Sequence, residues 1–340
     1  MSPPDLLGGA MLAALVLYAL LGGADFGGGV LDLLASGPRK EAQRALVERA
    51  LGPIWEANHV WLILVVVVLF SCFPPAFAAI SIGLFVPILL LLLGIVLRGA
   101  AFTFRTYDRP DPAVRVRWGL VFSIASVLAP LTLGTMVGAL ASGRVAVDGS
   151  APFAWVAPFP LATGGLALVL FAFLAAVYAA AHADRLGEAA LAGDFRARAL
   201  AAGVAVFGFA LLAGALSHRE APGVFEGLTR RSWSLGLHLA TAAAAVGSFA
   251  ALWRGRFGVA RVAAAAQAAL IVAGWGASQY PHLVFPGMTL ASASAPRATQ
   301  LAVLWGLAAG AALLFPALWL LFRTFEGARP LRMVDRPRGR

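Results

Sequence analysis

The sequence predicts an all-α, polytopic membrane protein, and three observations carry that prediction. Hydrophobic residues make up 61% of the 340 positions and charged residues only 12%. Apolar runs longer than the roughly 18 residues needed to cross a hydrocarbon core of about 30 Å recur along the whole chain. The basic residues gather in the connections between those runs, not in one patch interleaved with exposed aromatics. The net charge of +10 therefore does not point to nucleic acid.

Nine runs are expected as spans, near 6–34, 52–72, 76–104, 117–142, 157–181, 198–218, 233–253, 259–279 and 300–323. The first follows MSPPDLL, which lacks the basic n-region of a signal peptide, so it is expected to be retained. The second ends at SCFPP (71–75), where paired prolines remove backbone donors and stop a helix. The third exceeds the length a bilayer needs, so it is expected to tilt or to extend beyond it. FRTYDRPDPAVRVR (104–117) reads as a surface loop before the fourth span. The first and fifth carry LLGG and TGG, small residues that let helix backbones approach. No internal repeat is evident, and no long hydrophilic segment interrupts the series, so residues 1–340 are expected to form one integral membrane domain.

Charge sorts the connections. The first, third, fifth and seventh, with the C-terminal tail, hold 21 of the 26 Lys and Arg residues. The even-numbered connections hold the other 5. This asymmetry is the positive-inside pattern and predicts an outside N-terminus and a cytoplasmic C-terminus.

Two carboxylates break the apolar pattern. Asp25 sits in ADFGGG (24–29), well inside the first run, and Glu56 opens the second in GPIWEANHVWLI (52–63). A charged side chain at bilayer depth costs about 2.5–3.5 kcal/mol on insertion scales, so each is a candidate functional residue. At 100° per residue Tyr18, Leu21, Asp25 and Asp32 share a stripe flanked by Gly28 and Gly29. Asp32, nearer the cytoplasmic end, is expected as a wetted interfacial acid. Trp55, Glu56 and His59 fall within a third of the next helix's circumference, with Asn58 at the margin and Ala57, Val60 and Trp61 pointing elsewhere. Spacing alone leaves two readings open, a hydrogen-bond cluster that fixes packing and a proton or ion path. Under the predicted orientation both carboxylates lie in the cytoplasmic halves of adjacent antiparallel helices.

The remaining chemistry is sparse. His59 and His238 lie inside spans, while His182, His218 and His282 lie in or near connections, and no HxxxH or HExxH pair occurs. His238 is expected to be a satisfied core residue. Cys72 has no second cysteine to pair with, and it is read as a small apolar side chain at a helix end.

ADFGGGVL followed by PIWEANHVWLI resembles the two N-terminal motifs of subunit II of the cytochrome bd quinol oxidases. There the first reads like DGFDxGxG and the second like PxWDGNxVWL. Asp25, Gly27 and Gly29 match the first motif; Trp55, Glu56, Asn58 and Trp61 match the second, with Glu for the commoner Asp. Gly22, Gly23 and Ala24 stand where the family often carries an earlier acid and its neighbours, so one acid of that motif is missing.

The resemblance implies two four-helix bundles plus one peripheral helix in a bacterial cytoplasmic membrane. It also implies a haem-bearing subunit I as partner, with an extra small subunit left open. That partner would ligate haem b and haem d and carry the quinol site, so this chain alone is expected to bind no haem tightly and to hold no metal. The complex would oxidise quinol and reduce oxygen to water without pumping, drawing its protons from the cytoplasm. This subunit would contribute a proton route, with Glu56 at the intake, Asp25 at delivery and His59 beside them. Two rival readings are a proton-coupled secondary transporter or permease, and a scaffold whose acids only pack helices.

Overall fold

The computed structural model describes residues 2–51, 55–107, 112–146 and 148–326, and everything below concerns those residues. The chain runs through α1 (Pro3–Leu33), α2 (Lys40–Leu51), α3 (Trp55–Cys72), α4 (Pro74–Gly83), α5 (Phe85–Tyr107) and α6 (Pro112–Ser142). It continues through α7 (Pro158–Arg185), α8 (Ala189–Glu220), α9 (Pro222–Arg230), α10 (Ser234–Trp253) and α11 (Phe257–Gln279). A small antiparallel hairpin, β1 (His282–Val284) with β2 (Met288–Thr289), precedes α12 (Arg297–Glu326).

Eight described helices are long and apolar enough to cross a membrane, and a ninth crossing appears only if α3 and α4 are taken together. The expected run 76–104 is not one helix. Pro74 and Pro75 end α3, as expected, but they also start a separate ten-residue helix bent 118° away from it. Proline serves well in a helix's first turn, where no donor is needed. The third crossing therefore begins at Phe85, and the excess length that implied tilt belongs to α4.

The stretch 104–117 is likewise more helical than expected. α5 reaches Tyr107 and α6 starts at Pro112, while residues 108–111 lie outside the described set. The connections also contain α2 and α9, which a search for long apolar runs passes over. KEAQRALVERAL (α2) alternates charge with Leu46 and Val47, and only that apolar side and Gln43 are buried.

α1 and α7 organise the rest. α1 touches α2, α3, α6, α7, α11 and α12, and α7 also packs on α6, α8 and α11. Glycine makes the closest of these approaches possible. A Cβ at Gly27 would coincide with the Phe171 carbonyl, and one at Gly23 would lie 2.6 Å from the Phe171 ring. Nearer the start of α7, Gly134 and Gly138 of α6 meet Thr163 and Gly164 equally closely. Both pairs are spaced four apart, the small-xxx-small pattern of close helix contact in membranes. Beyond α7 lies an apolar core that includes Phe173, Leu174, Ala180, Phe195, Leu252 and Ala264. α12 touches α1 and α3 and is the least buried of the candidate spans.

Candidate functional site

The ADFGGG segment lies in the middle of α1's most enclosed stretch, where every residue from Gly22 to Asp32 is buried. Asp25 is 2% exposed and does not face an empty helix surface. Its Oδ1 accepts a hydrogen bond of 2.6 Å from Nη2 of Arg98 on α5, a residue 3% exposed. The same Nη2 donates to the Asp25 carbonyl at 3.2 Å, and Arg98 Nε donates to Ser126 Oγ of α6 at 3.2 Å. The guanidinium lies between the rings of Phe26 and Phe122, 5.1 and 4.9 Å from their centroids. Planar donors and cation–π faces suit arginine to such a site and would not suit lysine. A buried pair of this kind is strongly destabilising to break, because removal of one partner strands the other's charge.

Arg98 was grouped by sequence with the basic residues of the third connection. It lies inside α5 instead, so the basic side of the charge asymmetry falls from 21 residues to 20 and the pattern survives. The signal that could have found it was an arginine with apolar residues on both sides, in LLLLLGIVLRGAAF.

Asp32 also departs from expectation. It is 3% exposed rather than wetted, with Ser123 Oγ donating to its Oδ2 at 3.3 Å and Arg44 Nε of α2 lying 3.7 Å from its Oδ1. Burial of the C-terminal end of α1 under α2 supplies the reason. Leu21, placed on the same stripe by periodicity, is exposed; Tyr18, Asp25 and Asp32 form the inner line.

The second motif is partly visible. The α3 backbone begins at Trp55, but the side chains of Trp55 and Glu56 lie outside the described residues. Asn58 is 4% exposed and Trp61 9%, while Val60 is open. The buried side of α3 therefore runs through Asn58 and Trp61, with His59 at its edge, a rotation from the face expected. The His59 ring sits 6.0 Å from Tyr18 and 5.9 Å from Phe26, centroid to centroid. The first turns of α3 thus abut the Asp25 region of α1.

Four buried polar atoms in this cluster have no hydrogen-bond partner among the described residues: Tyr18 Oη, Asp25 Oδ2, Asn58 Oδ1 and His59 Nδ1. An unsatisfied buried group costs about 1–3 kcal/mol, so four together mark a place suited to exchanging hydrogen bonds with a small mobile species.

His59 packs against two aromatic rings, His218 meets Phe225 edge-on, and His282 lies tilted against Phe285. His238 is exposed, not core, with its Nε2 2.8 Å from the Leu228 carbonyl. Among the described residues no three His, Cys, Asp or Glu side chains converge as a metal site would require.

Comparison with known proteins adds a second line. Residues 4–325 match the family described as cytochrome bd terminal oxidase subunit II. Cytochrome bd ubiquinol oxidase subunit 2 of Bacillus subtilis (strain 168) is 32% identical over 126 residues, 37% of this chain and 36% of that protein. Cytochrome bd-I ubiquinol oxidase subunit 2 of Escherichia coli (strain K12) is 30% identical over 129 residues, 38% and 33% of the two chains. These two alignments span only about a third of each relative's length. A putative cytochrome bd menaquinol oxidase subunit II, also from Bacillus subtilis (strain 168), is 23% identical over 91% of both chains. The solved bd oxidase from Geobacillus thermodenitrificans superimposes with a TM-score of 0.79 at 24% identity, covering 97% of this chain and 100% of that one. That likeness speaks to fold alone.

Proposed function

The chain belongs to the cytochrome bd terminal oxidase subunit II family, and on that premise we propose that it works in a membrane complex that oxidises quinol and reduces oxygen, beside a haem-bearing subunit I. The partner would hold haem b and haem d, which supply the oxygen chemistry. This chain would supply structure and a path for protons. An extra small subunit and the surrounding lipid complete the proposed assembly, in a bacterial cytoplasmic membrane. Nothing favours the transporter or permease reading.

We take nine crossings, with α3 counted as one of them and α12 peripheral, and the C-terminus in the cytoplasm. The motif end of α1, with α2 beside it, then faces the cytoplasm. The observation that carries the proton path is the buried cluster where α1 meets α3: Asp25, His59 and Asn58, with polar atoms left open for exchange. Glu56, at the cytoplasmic start of α3, is the proposed intake, and Asp25 delivers toward the partner. Arg98 changes the chemistry of that delivery. It fixes Asp25 through one carboxylate oxygen and leaves the other, Oδ2, as the exchanging atom. Gly27 and Gly29 serve by letting helices close on the site, and Trp61 seals its outer side.

Gln at 56 or Asn at 25 keeps shape and hydrogen bonding but cannot exchange the proton. Either change is expected to slow oxygen consumption by the assembled complex by about two orders of magnitude, with the haem spectrum unchanged. Full turnover in an assembled Glu56→Gln or Asp25→Asn complex would remove the path and leave only the packing role.

A further inference from the structure

In the proposed orientation, the cytoplasmic ends of α2, α7 and α11 hold a group of side chains that the proton path does not use. On α7, Tyr178, His182 and Arg185 follow one another at spacings of four and three, so they line one side of its last two turns. α2 and α11 both pack on α7, and each adds an arginine beside that line. Arg261, in the second turn of α11, lies over the Tyr178 ring, 5.3 Å from its centroid. Arg49, in the last turn of α2, has its Nη2 3.9 Å from Oε1 of Glu188, the residue that precedes α8. The charges felt at the His182 ring are those of Arg185, Arg49, Arg261 and Glu188, three cations to one carboxylate. That carboxylate does not fully satisfy even Arg49, since 3.9 Å is longer than a hydrogen bond. Arg185 and Arg261 are exposed and form no ion pair with any described residue.

An excess of arginines at this end follows from the orientation rule alone. Their gathering from three separate segments around one imidazole does not. Guanidinium groups present planar, forked donors that match phosphate oxygens, and the Tyr178 ring steadies Arg261 without occupying those donors. Depth adds a second argument. Arg261 is the only charged residue of α11, one turn inside the helix. α10, which packs on α11, ends at the exposed Trp253, a residue type that marks the membrane–water interface. Val259 and Val262, on either side of Arg261 in the sequence, are exposed as well. Free cationic donors at headgroup depth, with bare apolar surface on the same helix, suit a molecule that is phosphate at one end and hydrocarbon at the other.

We propose that Arg49, Arg185 and Arg261, with His182, bind the phosphate of an anionic phospholipid of the cytoplasmic leaflet, whose chains lie along α11. Basic pockets between spans on that side are a recurrent kind of headgroup site. The bound phosphate offsets the surplus positive charge and ties α2 and α11 to the end of α7. The inference takes only the membrane placement from the proposed function. The proton path does not enter it, and turnover is not its readout.

The test uses the purified, delipidated complex in neutral detergent and follows its unfolding temperature as phosphatidylglycerol, phosphatidylcholine or inorganic phosphate is added. Phosphatidylglycerol is expected to raise that temperature to a plateau, and the other two to leave it unchanged. Arg185→Gln and Arg261→Gln should each raise the phosphatidylglycerol concentration needed for half the effect about fivefold, the contribution expected of one basic residue beside anionic lipid. Arg254→Gln removes an exposed arginine of the neighbouring connection and should leave that concentration as it is. An equal response to both lipids overturns the proposal. So does an equal weakening in Arg254→Gln, which would mean a diffuse basic surface. A matching response to inorganic phosphate would make this a free-anion site and end the lipid assignment. Should one arginine variant fail to assemble, the other carries the test, and an unchanged lipid dependence in either assembled variant overturns the proposal. Any of these failures leaves the proton path standing, because Asp25→Asn and Glu56→Gln are read by turnover.

Discussion

The two sides of α7 are built from similarly apolar helices, yet they hold their interiors in opposite ways. On one side α1, α3, α5 and α6 enclose Asp25, Asp32, Arg98, Ser123, Ser126 and Asn58, all buried. On the other, α8, α10 and α11 close on a core rich in Ala, Leu and Phe, where the buried polar residues are side-chain amides and hydroxyls such as Gln267 and Ser248. Hydropathy does not separate these regions. What separates them is the presence of paired charges, each of which needs its partner on a different helix. The second side could lose a side chain and merely weaken; the first cannot lose Asp25 or Arg98 without stranding the other's charge.

Four substitutions would break or sharpen that contrast. The largest effect is expected at the join between the regions. Gly27→Leu would drive a side chain into the Phe171 carbonyl, and no assembled complex should be recovered from membranes; normal yield would show that α1 and α7 can part without harm. Next, Arg98→Ala leaves Asp25 buried without its cation. The expected loss is about 3–5 kcal/mol, seen as a lower unfolding temperature in detergent, and Asp25→Asn in the same chain should recover part of it. Phe173→Ala, in the apolar core, is expected to cost a similar 3–5 kcal/mol through the cavity it leaves. Its turnover per assembled complex should nevertheless stay normal, whereas Arg98→Ala should lose both stability and turnover. Equal loss of turnover in the two variants would erase the functional distinction between the regions. The smallest effect belongs to an ion pair of the same chemistry at the surface. Arg39 donates to Asp194 at 2.8 Å with its own side chain half exposed, so Arg39→Ala should leave the unfolding temperature almost unchanged, because solvent screens such a pair.

How much of this was legible in the sequence follows from what each signal measures. Span positions came through because helix length and apolarity are local, and the starts and ends of α7, α10 and α11 fall within a few residues of expectation. The bend after Cys72 was half legible: prolines announce a stop but do not say that the next ten residues form their own helix. Asp25 was conspicuous because carboxylates in apolar runs are expensive. Arg98 carries the same expense but was absorbed into a count of basic residues near a connection, since a positive charge close to a helix end has an ordinary explanation. Asp32 was misread for the same reason. Nothing in a linear pattern says that α2 folds back over the end of α1 and buries what would otherwise be wet. Serines 123 and 126 had no signal at all; only the arrangement of α1, α5 and α6 gives them partners.

The anchor that holds α2 in place sets a schedule. Gln43 donates to Asp194 Oδ2 and accepts from Arg198 Nη2, and Arg39 binds the same aspartate, all across separations of 151 to 155 residues. At typical synthesis rates of about 5–20 residues per second, α8 arrives roughly 8–30 s after α2. For that interval the cap over the Asp32 end of α1 lacks its fastening. A nascent chain arrested before residue 194 is therefore expected to show Arg39 open to a guanidinium-specific dicarbonyl reagent, and to lose that access once α8 is inserted. Equal labelling before and after would mean that α2 is held by its apolar side alone. On this schedule the Asp32 end of α1 is the last part of the N-terminal half to be sealed.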